Sequence, residues 1–126
     1  KELMEESTQP SMMRSLDELT HITIAQCCQQ GDELAKEVFR KTGEYLGLGL
    51  ANIASVLDPE AIILADLPEE VFNSLIEPTR EAFDSYVFHN IKDRVRLVVA
   101  GLNNNERDVL GAAALAWTVQ EYSLFK

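Results

Sequence analysis

Asp66 is the residue whose type and place have the clearest chemical consequence. It follows a short apolar run, Ala61-Ile62-Ile63-Leu64, within the tetrapeptide Ala65-Asp66-Leu67-Pro68. A continuous apolar run of this length reads as a parallel strand covered on both faces. Open α/β sheets bind ligands just beyond the carboxyl ends of such strands. A carboxylate there opposes an anionic ligand. At about 4 Å two like charges repel by roughly 1 kcal/mol in water, and by several times that in a partly buried cleft. A second apolar run, Val95 to Val99, is followed by Ala100-Gly101 and supplies a second strand end. Ala65, Asp66, Leu67 and Gly101 are therefore the candidate ligand-binding positions. Asp66 alone is weak support for a magnesium site, because that ion needs several oxygen ligands.

The other residues capable of chemistry read more plainly. His21, Cys27 and Cys28 fall short of a zinc site, since tetrahedral zinc takes four ligands, usually in closely spaced pairs. His21 and Cys27 lie six positions apart, and no second pair exists. The adjacent cysteines read as packed helix residues, with no disulfide framework implied. His89 reads as a helix-end histidine that gains from the dipole. Asn103-Asn104-Asn105 reads as a turn, because Asn tolerates left-handed geometry. No hydrolase motif is present, and no catalytic residue is assigned. Asn52 is open between an interhelical hydrogen bond and a contact to a partner.

These positions need elements to hold them. Residues 1–14 show no period and read as a loose lead-in. Ser15-Leu16-Asp17-Glu18 has the capping-box pattern, so a helix is expected from there to about Gln30, with Leu16, Leu19, Ile22 and Ala25 or Cys28 on one face. Gly31 suits its C-terminal end. Asp32 can cap a second helix reaching Leu57, with Leu34, Val38, Tyr45, Ile53 and Val56 near the helical period. Gly43, Gly47 and Gly49 each cost that helix about 1 kcal/mol relative to Ala. Close approach of another backbone would compensate. A phosphate loop would need a strand before the glycines, and none precedes them.

Pro59 stops the helix. Pro68 fits the first helical position of a third helix, with Glu69 and Glu70 in its first turn. Pro78 is expected to kink that segment or to begin another helix reaching about Phe88. Gly101 to Asn105 read as a polar turn, and a final helix is expected from about Glu106 to Leu124. Trp117, Tyr122 and Phe125 on that helix read as core or as an anchor for an upstream part or a second subunit, with core favoured for Trp117. The order is α-α-β-α-β-α, with two parallel strands in a right-handed unit. Two strands alone make a poor sheet, and an open apolar edge predicts self-association.

The chain has 126 residues and a formal net charge of −10. One domain is the prior at this length. Asp58 to Asp84 alone carry eight acidic side chains against one Arg80. That surface repels phosphate backbones, so no direct nucleic-acid contact is expected from this segment. No apolar run spans a bilayer, the charged start is no signal peptide, and a reducing cytoplasm suits the cysteines. The first residue is Lys1 rather than Met, and the expectation is a fragment of a longer protein.

The stretch Tyr45 to Leu64, YLGLGLANIASVLDPEAIIL, together with Gly111-Ala112-Ala113-Ala114-Leu115-Ala116, resembles the C-terminal blocks of the ROK family of repressors and sugar kinases. The resemblance spans roughly Gly31 to Trp117. It implies the C-terminal part of a ribonuclease-H-like, actin-like ATPase domain over residues 15–126, with these two strands the last of a five-stranded sheet. Some members phosphorylate hexoses with ATP; others carry a winged helix and repress sugar genes. The resemblance also implies that the catalytic Asp, the sugar contacts, the structural zinc loop and any DNA-binding helices lie upstream of Lys1.

Two departures from the family pattern stand out. Family kinases carry glycines after the strand, where this chain has Ala65 and Asp66. They carry a small Ala-Gly pair where this chain has Arg107 and Asp108. Both departures crowd or charge the nucleotide side of the cleft, so Ala65, Asp66, Leu67 and Gly101 read as vestigial nucleotide positions. The reading that follows is the sugar-sensing, oligomerising part of a transcriptional regulator, with no metal or cofactor in this chain. The alternative is the C-terminal part of an ATP-dependent, glucokinase-like kinase.

Overall fold

The computed structural model describes residues 1–100 and 104–124. Its elements run α1 (Glu2–Glu6), a 3-10 turn (Met12–Ser15), α2 (His21–Gln29), α3 (Glu33–Leu57), β1 (Ala61–Leu64), α4 (Glu69–Tyr86), α5 (His89–Lys92), β2 (Arg96–Val99) and α6 (Asn104–Leu124). The two strands are parallel, in register Ala61 with Arg96 through Leu64 with Val99. The mixed architecture expected from sequence is present, with α1, the 3-10 turn and α5 added.

The start of α2 differs from expectation. The capping box that forms is Thr20 with Thr23, not Ser15 with Glu18. Thr20 Oγ1 accepts from the Thr23 amide at 3.1 Å, and Thr23 Oγ1 accepts from the Thr20 amide at 2.9 Å. Leu16 and Leu19 precede the helix and still pack on the apolar cluster around Met13 and Cys27. The lead-in is more ordered than expected. It holds α1 and the 3-10 turn, and Met13 is only 2% exposed.

α3 carries the fold. Asp32 caps it, accepting from the Leu34 and Ala35 amides, both at 3.0 Å. Asp58 ends it in left-handed geometry, φ 44°, and Pro59 forbids continuation. α4 lies against it so closely that Gly43 and Gly47 are required. A methyl at Gly43 would stand 2.7 Å from Pro78 Cβ, and one at Gly47 would stand 2.5 Å from the Thr79 carbonyl oxygen. Gly49 departs from the expectation: a methyl there meets nothing within 4 Å. Pro78 neither ends α4 nor begins a new helix; α4 is assigned continuously from Glu69 to Tyr86. Its ring packs at Gly43, and Thr79 Oγ1 donates to the Leu75 carbonyl at 2.7 Å one position on.

The buried face of α3 differs in part from the periodic residues expected. Leu34, Phe39, Leu50, Ala51 and Ala54 are buried, while Tyr45 is 77% exposed and Ile53 and Val56 are exposed. The core over the inner sheet face comprises Leu50, Ala51, Ala54, Phe83, Val87 and Ile91, with Ile62, Leu64 and Leu97 packed against it. The opposite sheet face is open: Ile63 is 65% exposed and Val98 is exposed. Strand β1 is therefore covered on one face here, against the doubly covered strand expected. β2 begins at Arg96, one residue later than expected, leaving Val95 buried just before it.

Candidate functional site

The carboxyl ends of β1 and β2 meet where the chain leaves the sheet. The ladder reaches one bond past the strands, with the Ala100 amide donating to the Leu64 carbonyl at 2.9 Å. Beyond that bond the backbone turns through Ala65 and Asp66. Asp66 has φ 68°, the left-handed region that glycine occupies freely and L-residues adopt at a cost. Pro68 then caps α4 without a side-chain hydrogen bond, one position before the first-turn place expected for it.

A cleft of about 520 Å³ opens at this corner. Ala65, Asp66, Leu67 and Phe72 line it together with Val99, Ala100, His21 and Asn105. Three of the four positions singled out from sequence, Ala65, Asp66 and Leu67, thus share one cleft. Gly101 lies outside the described residues. His21 is the residue that sequence reasoning did not place here. Its local context marks only the first residue of α2, and its arrival at the β1 corner depends on how α2 packs.

The charge of the cleft follows from its elements. A helix N-terminus favours anions through its free amides and dipole. α4 points such an end at this corner, but its first turn already holds Glu69 and Glu70. Asp66 adds a third carboxylate within four residues. All three acidic residues oppose a phosphate at this helix end by charge. The Ala65 methyl and the Asp66 side chain also take up room that a backbone-only loop would leave free.

The other candidates separate. His21 lines the cleft, while Cys27 is buried in a cluster with Met13, Leu34 and Ala35. Burial, and then the charge of Asp32, push the Cys27 thiol up, so it is a poor nucleophile or ligand. No group of three or more His, Cys, Asp or Glu among the described residues could hold a metal ion. His89 opens α5 instead of closing α4. Asn104 and Asn105 lie in the first turn of α6 instead of a loop, and Asn103 lies outside the described residues. Asn52 is exposed on α3. Trp117 is 71% exposed, which corrects its assignment to the core. The side chains of Arg107, Tyr122 and Phe125 lie outside the described residues.

Comparison with known proteins gives a consistent set of relatives. The ROK family model matches residues 3–119. A glucokinase from Halalkalibacterium halodurans is 26% identical over 103 residues, 82% of this chain and 30% of that protein. The DNA-binding transcriptional dual regulator NagC of Escherichia coli K12 is 27% identical over 100 residues, 79% of this chain and 24% of that protein. A crystal structure from Cytophaga hutchinsonii, assigned as a sugar kinase, superposes with a TM-score of 0.78 at 28% identity, covering 92% of this chain and 38% of that one. The chain thus spans between about a quarter and two fifths of the length of these relatives.

Proposed function

This chain belongs to the ROK family, and on that premise we propose that it is the C-terminal sugar-sensing and oligomerisation part of a transcriptional regulator of carbohydrate metabolism, not catalytic by itself. The observation that carries the reading is Asp66. Its carboxylate stands in left-handed backbone at the mouth of the cleft, beside a helix end already occupied by Glu69 and Glu70. A triphosphate at that corner would meet the Asp66 carboxylate and the Ala65 methyl, next to a helix end whose first turn carries Glu69 and Glu70. A sugar regulator has no need of a triphosphate, whereas a kinase does.

In this reading the fragment forms one wall of the cleft between the domains of its parent. Sugar bound upstream closes that cleft, and the helices here pass the change to a second subunit and to a DNA reader elsewhere in the parent. Ligand and response are linked only through the different affinities of the two conformations. The segment makes no DNA contact of its own, in keeping with its net charge of −10. In this reading it works in the cytoplasm, a reducing setting that suits its free cysteines. No helix among the described residues is long and apolar enough to cross a membrane.

A second reading is the C-terminal part of an ATP-dependent hexose kinase. The glucokinase relative and the Cytophaga structure favour it. Hexose phosphorylation by the full-length parent separates the two. The regulatory reading expects no ATP-dependent turnover of hexoses, and robust turnover would reject it.

A further inference from the structure

The segment before α2 is attached in an unusual way. Among the described hydrogen bonds, every one that joins residues 1–16 to the rest of the chain ends on a single atom, Asp32 Oδ2. It accepts from Ser11 Oγ at 2.8 Å and from the Met12 amide at 2.6 Å. The segment's other hydrogen bonds stay within it. The Met13 amide donates to Ser11 Oγ at 3.2 Å, Ser15 Oγ to the Met12 carbonyl at 2.8 Å, and Arg14 Nε to the Gln9 carbonyl at 3.2 Å. Arg14 also donates to the Ser7 carbonyl. The segment is thus braced internally; its only hydrogen bonds to the rest, among the described residues, end on one carboxylate oxygen, and Leu3, Met4, Met13 and Leu16 add apolar packing.

We propose that residues 7–16 form a strap latched by Asp32 Oδ2, able to lift as a unit while the helices beneath it stay folded. The two oxygens of Asp32 divide the work. Oδ1 caps α3 through the Leu34 and Ala35 amides, and Oδ2 holds only the strap. Losing the second set of bonds leaves the helix cap in place. Beneath the strap, Met13 plugs an apolar cluster of Cys27, Leu34 and Ala35. A groove of about 820 Å³ lined by Pro10, Ser11, Met12, Gly31, Asp32 and Glu33 lies beside the latch. A lifted strap withdraws Met13 from that cluster. The device is independent of the β1 corner and of the functional reading above.

Asp32→Asn tests it directly. The Asn carbonyl still caps α3, but its NH2 group faces the Met12 amide, donor against donor. The readout is tryptic cleavage after Arg14, inside the strap, compared with cleavage after Arg40, inside α3. The strap predicts cleavage after Arg14 at least about tenfold faster in Asp32→Asn, with Arg40 unchanged. Ser11→Ala leaves the α3 cap untouched and should give a smaller, equally selective rise of about threefold. An unchanged Arg14 rate in both variants overturns the proposal. So does a rise at Arg14 and Arg40 together in Ser11→Ala, which would mean that the strap and α3 open as one.

Discussion

Asp32 and Asp66 are both aspartates at element ends, with opposite consequences. Burial alone would raise the Asp32 carboxyl. The Ala35 amide, the Ser11 hydroxyl and the Met12 and Leu34 amides outweigh it and hold the group below the usual carboxylate range. A depressed folded value means that its contribution to stability is present above the ordinary carboxylate value of about 3.9. It is lost as pH falls through the lower folded value. Urea midpoints should therefore drop more steeply between pH 4 and pH 2 in the native chain than in Asp32→Asn. Asp32→Ala, which removes cap and latch together, should cost about 2 kcal/mol at pH 7 in urea unfolding. Asp32 was legible from sequence as a cap because capping is local. Its grip on Ser11 and Met12 was not, because those residues lie about twenty positions away and nothing local marks the contact.

The element scale explains which glycines matter. Gly43 and Gly47 face Pro78, Thr79, Ala82 and Phe83 across the α3–α4 contact. Gly43→Ala and Gly47→Ala should each destabilise by about 2 kcal/mol, because overpacking against backbone outweighs the gain in helix propensity. Gly49→Ala should stabilise the chain by up to about 1 kcal/mol, since a methyl there meets open space. Equilibrium urea unfolding of the three variants checks both signs. The sequence reading grouped all three glycines as close-approach positions, and only the partner helix distinguishes them. The same limit applies to Pro78. A proline inside an apolar-periodic segment signals a break, yet α4 is assigned across it, with the proline ring packed at Gly43. Strand β1 and the end of α3 at Asp58-Pro59 were read to the residue, because Pro and the apolar run act locally.

Across the whole molecule, apolar surface is left open. Ile63 and Val98 face outward from the sheet, and the described side chains of α6, including Val109, Leu110, Leu115 and Trp117, are exposed. Periodicity marks a helix face as apolar without saying what covers it, so Trp117 was assigned inward. Exposed apolar side chains in this number suit an interaction surface. Sedimentation velocity on the chain should show concentration-dependent association in the micromolar range, and Trp117→Glu should weaken it. A strictly monomeric profile across that range would contradict the oligomerisation part of the proposed function.

The β1 corner joins these scales, since one residue, one helix end and the parent's activity meet there. Titration calorimetry of magnesium-ATP into the full-length parent, saturated with its sugar, is the most direct test. The proposed function predicts no saturable heat up to millimolar nucleotide, with the double substitution Ala65→Gly, Asp66→Gly increasing any residual affinity. Saturable micromolar binding to the unsubstituted protein, lost on crowding Ala65 with Val, would contradict it.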